Sequence, residues 1–331
     1  MRRTALALAV LVAACDRAPE TSRGGGGEAA PSSLPLQASA APVAEAASES
    51  RPPGDPSESF VAAMVGAERA IGGGDFTAAD AQLDRAAAAA GDDPHLKFAV
   101  GLYRATRFTY AGAIDQAADA LQAVIPAVKN HPELPDEFTG HNQMMILRVA
   151  QGDPGAALAE DDLATQCAAR GTWAPDDRPT LAYLKDRWHR AYLSRMLAEM
   201  RTGGARETLL REANAAKDDY RKKANELGTN RDSVAVLEAY FAALDGKKEA
   251  ARAAAKTVDL ASDTDLEDLY LVVIGLEVGG DHAAAERVRQ VMRRPGSVHL
   301  SRPVMLRYLA LDASAPQRGF TPWHPVVAPR R

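Results

Sequence analysis

Five times along this 331-residue chain a glycine is followed, five residues later, by an alanine inside sequence that otherwise patterns as helix. The pairs are Gly74–Ala79, Gly112–Ala117, Gly152–Ala157, Gly246–Ala251 and Gly280–Ala285. Successive glycines lie 38, 40 and, after an interval with room for about two units, 34 residues apart, a period that belongs to helical repeat arrays. Glycine just past one helix accepts the left-handed conformation that ends it. Asp75, Asp153 and Asp281 stand beside three of these glycines and can cap the next helix. Alanine has no bulk, so the second helix can press closely on the first. Leu83, Leu121 and Val288 then supply the next apolar contact.

Composition agrees with this reading. The hydrophobic fraction is 46% but the aromatic fraction is 5%, so alanine carries much of the apolar content. Alanine favours helices and is depleted in strands, which argues against a sandwich or barrel. Helical stripes appear at Leu210, Ala213, Tyr220, Ala224 and Leu227, and at Leu266, Leu269, Tyr270, Val273 and Ile274. The second is apolar nearly all round, so it belongs deep in the stack. We therefore expect an all-α chain, an α-solenoid of about six helical hairpins over residues 60–312.

The joints resemble those of tetratricopeptide (TPR) repeats, in which glycine, often aspartate, an aromatic and then alanine mark the turn between paired helices. Gly74-Asp75-Phe76 with Ala79, Leu83 and Pro94 is the best match; Gly280-Asp281-His282 with Ala285 and Gly152-Asp153-Pro154 with Ala157 follow. The bulky residues of the family's first helix are mostly missing from the first unit, and unit lengths vary. The resemblance implies that the first helix of each pair lines a concave surface for a protein or peptide partner. On two such helices lie Tyr103, Arg104, Arg107 and Tyr110, and Lys185, Arg187, Trp188, His189, Arg190, Tyr192 and Arg195. Arginine and aromatic residues are enriched at binding hot spots, although Trp188 suits a core equally well and the arginines suit a solvated face.

Ahead of the helices, Met1-Arg2-Arg3 is a basic start, residues 4–12 are apolar, and Ala13-Ala14 are small. Val12-Ala13-Ala14-Cys15 resembles the lipobox of bacterial lipoproteins, which implies cleavage before Cys15 and lipidation of its thiol. Residues 1–14 are then a signal peptide. Residues 15–59 carry no aromatic side chain, and the segment from 16 holds seven prolines, a run of four glycines and a charge of −4. Such a segment cannot bury enough surface to offset its ordering entropy and serves as a tether spanning roughly 35 Å. The tail, residues 313–331, is rich in proline, with Phe320 and Trp323 as anchors and a charge of +3. It either packs back on the helices or acts as a recognition segment.

Catalytic signatures are missing: there is no HExxH helix, no Gly-x-Ser-x-Gly elbow and no phosphate loop. Glu58-Ser59 resembles the Glu-Ser pair of lytic transglycosylases, but that family's Gly-Leu-Met-Gln signature is absent. His131 and His141, with Glu133, Asp136 and Glu137 between them, gather metal-ligating types in one loop. Pro132 and Pro135 favour a plain rigid turn there, so no metal and no cofactor are expected. Cys167, four residues after Leu163 on one helical face, fits a buried, inert thiol. A net charge of −5 argues against nucleic-acid binding. The sequence thus points to a non-enzymatic, lipid-anchored adaptor of the bacterial envelope, facing the periplasm or exterior. Lipidated TPR proteins often assist assembly of envelope machines. Two other readings stay open: an envelope enzyme with an atypical site, such as one acting on peptidoglycan, and a small-ligand or glycan binder. Paired carboxylates or histidines in a concave pocket would mark the first; a closed aromatic-lined cavity would mark the second.

Overall fold

A computed structural model describes residues 56–173, 178–259 and 266–292. Among these residues the chain forms twelve α-helices and no strand. The helices are α1 (Pro56–Gly73), α2 (Phe76–Ala90), α3 (Pro94–Ala111), α4 (Ile114–Val128), α5 (Asp136–Ala150), α6 (Pro154–Arg170), α7 (Arg178–Glu199), α8 (Gly203–Leu227), α9 (Arg231–Leu244), α10 (Lys248–Ala255), α11 (Leu266–Val278) and α12 (His282–Met292). They pack in a helical array. All but one of the successive pairs pack closely, α8 touching α9 more lightly, and α1 with α3, α3 with α5, α7 with α9 and α9 with α11 also meet. Among the described residues no helix is long and apolar enough to cross a membrane.

The joints explain the array. All five predicted glycines hold a positive φ, between 73° and 83°, where a Cβ would crowd the backbone and only glycine sits without strain. Asp75, Asp153 and Asp281 each accept a hydrogen bond from the backbone N–H three residues on, at 2.9–3.1 Å. Those bonds satisfy donors that the first helical turn leaves orphaned. The five alanines are 0% exposed. Leu83 and Leu121 are 0% exposed and Val288 1%. Close approach recurs away from the joints: a Cβ on Gly101 of α3 would stand 2.5 Å from the methyls of Val124 on α4.

One core cluster runs from Phe98 on α3 to Val288 on α12. A separate cluster of Phe60, Met64, Ala67, Leu83 and Val100 joins α1, α2 and α3. As expected, α11 is deeply set, with Leu269 through Ile274 all buried. Three expectations need correcting. Leu227 is exposed, because it ends α8 past the reach of its neighbours. Leu163 is also exposed although Cys167, one turn on, is buried, so the edge of the buried face runs between them. Helix α1 starts at Pro56, so residues 56–59 belong to the helical body and not to the tether. Proline fits that first helical position because its missing N–H has no partner there anyway. The expected signal peptide, Cys15, the expected tether up to residue 55, the expected end of the solenoid from residue 293 and the tail lie outside the described residues.

Candidate functional site

The residues expected to face a partner fall into two groups. Trp188 and Tyr192 are core residues, 7% and 4% exposed, with ring centroids 4.8 Å apart and edge to face. They offer nothing to a partner, because α7 is covered by α6 and α8 on both flanks. Arg104, Arg107, Arg187 and Arg190 stay nearer the surface but are engaged with carboxylates, most of them on neighbouring helices. Arg104 donates to Asp84 at 2.8 Å and Arg107 to Asp80 at 2.5 Å, both across to α2. The Arg107 guanidinium also lies 4.9 Å from the Phe108 ring centroid and 5.4 Å from that of Phe76. Arg190 joins Asp162 on α6, Glu212 on α8 and Asp186 on its own helix. Arg187 pairs with Asp186 at 2.5 Å and covers Tyr183. Lys185 sits 5.6 Å from the Phe138 ring centroid, and Tyr103 packs against the α1–α3 cluster. These side chains tie helices together.

Beneath them α7 buries an ion-pairing layer. Asp161 of α6 and His189 of α7 meet at 2.8 Å, with side chains 2% and 8% exposed. Burial pushes the Asp161 carboxyl up from its ordinary range, and the facing imidazole only partly offsets this. Its second oxygen, Oδ2, has no hydrogen-bond partner.

A cleft of about 500 Å³ opens where α7, α8 and α9 meet. Leu210, Phe241 and Leu244 make its apolar lining; Arg195, Arg206 and Lys247 bring positive charge, beside Asp245 and Asn214. Arg195 is 3% exposed and bonds Glu199 at 3.0 Å and Asp245 at 3.1 Å, yet its Nε has no hydrogen-bond partner. Arg206 pairs with Glu199 and Lys247 with Asp245. Three cations against two anions leave the cleft net positive on a chain of net charge −5. Lys217 adds a further cation 4.5 Å from the Phe241 ring centroid. No family model, curated protein or solved structure matches this chain. Of the cleft residues, Arg195 stands out in the sequence as one of the α7 cations and Leu210 as part of an apolar stripe. Arg206 and Lys247 are separated by forty residues with no spacing rule between them, so no sequence signal joins them.

The ligand-rich loop separates into three parts. His131 bonds Glu133 at 3.0 Å at the surface. Asp136 turns to His95 of α3, whose pKa is raised: burial would lower it, but the hydrogen bond and charge of Asp136 outweigh that. Glu137 and His141 join Cys167 of α6, with one ligand atom from each within 4.8 Å of the others. Burial, reinforced by the charge of Glu137, pushes the Cys167 thiol up to about 12. Left to itself it is an inert thiol. Glu58 is exposed in the first turn of α1.

Proposed function

We propose that this protein is a non-enzymatic adaptor, lipid-anchored through Cys15 in the bacterial envelope, whose helices form a TPR-like α-solenoid of six hairpins that binds a protein partner. The observation that carries the binding role is the net-positive cleft at α7–α9, with its apolar lining. An acidic segment carrying one or two apolar side chains complements it, since charge fixes orientation while the apolar contacts supply affinity. The repeated glycine–alanine joints support the solenoid reading, and the basic, apolar, small-residue order before Cys15 supports the anchor.

Crosslinking in intact cells from a photoreactive residue at position 214, followed by mass spectrometry, tests the binding role. A discrete acidic partner should be captured, and Arg206→Glu with Lys247→Glu should abolish capture without changing helicity. Capture that ignores the charge reversal would overturn the cleft as the binding surface. Fatty-acid labelling tests the anchor: Cys15→Ala should eliminate the label and leave a precursor that keeps residues 1–14.

A further inference from the structure

We propose that Glu137, His141 and Cys167 are the ligands of a thiophilic divalent cation, zinc by chemistry, which clamps α5 to α6. Glu137 and His141 are four residues apart on α5 and so share one helix face. Cys167 comes from α6, which packs along it. Bonds of 2.0–2.3 Å in a tetrahedral site place ligand atoms about 3.5 Å apart. The 4.8 Å limit on the present spacing therefore calls for pairs of ligand atoms to close by about 1.3 Å at most, which side-chain torsions of Glu137 and Cys167 can supply.

Three further observations point to a cation at this spot. Glu160 of α6 accepts from His141 Nδ1 at 2.7 Å, which holds the tautomer that leaves Nε2 as a free donor to a metal. A carboxylate behind a histidine is the usual outer support of such a ligand. The guanidinium of Arg170 already pairs with Glu137 and reaches to 3.5 Å from Cys167 Sγ, so two of the three ligands attract positive charge in common. The Arg170 side chain is 45% exposed and can swing into solvent when a stronger cation arrives. Finally, Phe138, Ala164, Ala168 and Ala182 wall the thiol with apolar surface, which strengthens electrostatic binding by excluding water.

The chemistry balances without any redox step. The dication bonds to the Glu137 carboxylate, the Nε2 lone pair and the Cys167 sulfur; the thiol proton leaves to solvent, one per ion bound. Two anionic ligands neutralise the dication, and the guanidinium moves off Glu137. A water completes the fourth position. Thiolate with imidazole selects zinc over magnesium or calcium.

The test uses the full chain carrying Cys15→Ala, so that Cys167 is the only thiol, in reducing, chelator-free buffer. Titration with cobalt(II) alone should give a thiolate charge-transfer band in the near ultraviolet that saturates at one equivalent. One equivalent of zinc should bleach it, and zinc should raise the melting temperature by several degrees. Cys167→Ser should abolish the band while keeping helicity. Glu160→Gln, which only loosens the support of His141, should weaken zinc binding about 10- to 100-fold. Absence of the band in the Cys15→Ala chain overturns the proposal, and because that measurement keeps all three ligands it does not depend on any ligand variant folding. A band that survives Cys167→Ser, or zinc affinity unchanged in Glu160→Gln, overturns it too.

Discussion

The α1–α2 pair and the α7–α8 pair solve one packing problem in opposite ways. Between α1 and α2 the turn is Gly74-Asp75, the aspartate caps the second helix, and the contact is made by Phe60, Met64, Ala67, Ile71, Ala79 and Leu83, all at most 2% exposed. Between α7 and α8 the turn has Gly203, but Thr202 makes no side-chain cap, and Thr208, five residues past the glycine, is exposed. Here the helices are longer, and α7 buries Asp186, His189, Ser194 and Arg195 beside its apolar residues. A dry joint of small residues needs only local sequence. A charged joint needs partners from three other helices, among them Asp161 on α6, Glu212 on α8 and Asp245 just past α9.

The contrast predicts where each region breaks. The largest effect falls in the charged region: His189→Ala leaves Asp161 buried without its partner and should cost about 3–5 kcal/mol in denaturant melts. Replacing both residues with leucine should recover much of that loss; if the double variant is no better than His189→Ala, the pair is not a balanced buried charge. Next comes the dry joint. Ala79→Leu forces three carbons into a filled contact and should cost about 2 kcal/mol, and Ala285→Leu the same at α12. If both melt like the wild type, the joint alanines are not crossing positions.

Gly74→Ala, at φ 76°, should cost about 1 kcal/mol through backbone strain alone, since nothing lies within 4 Å of the added Cβ. A smaller effect is pH-dependent. The raised pKa of His95 makes its pair with Asp136 stabilising in full below the unfolded-state histidine pKa, and that contribution is lost as pH rises through the folded value. Thermal melts from pH 6 to 8 should therefore lose stability more steeply in the wild type than in His95→Ala. Equal slopes would exclude a charged pair. Ala88→Lys, on the exposed face of α2, should change stability by only a few tenths of a kcal/mol, about the difference in helix propensity.

How far each region was legible follows from the same contrast. At α1–α2 and α11–α12 the glycine, the capping aspartate and the buried alanine were all readable, because each acts within about one helical turn of the glycine. The α7 constellation of cations and aromatics was readable but misassigned in part: Trp188 and Tyr192 look the same in sequence whether a helix faces a groove or a core. Helix α7 shows no clear apolar stripe that would assign a face to either role, and only the covering by α6 and α8 decides. Likewise Glu133, Asp136, Glu137, His131 and His141 read as one loop. The start of α5 at Asp136 splits them, sending Asp136 toward α3 and turning Glu137 and His141 toward α6.

By itself the sequence determined that the described residues are all-helical, where five of their helices end and which alanines vanish into contacts. Those properties rest on backbone conformation, capping and side-chain volume, which act over a few residues. The tertiary structure alone decided that Arg195, Arg206 and Lys247 share a cleft, that Asp161 is buried against His189, and that Glu137 and His141 meet Cys167. Each of those groups joins residues from different helices, and their distance apart is set by how the helices pack, to which no short stretch of sequence is sensitive.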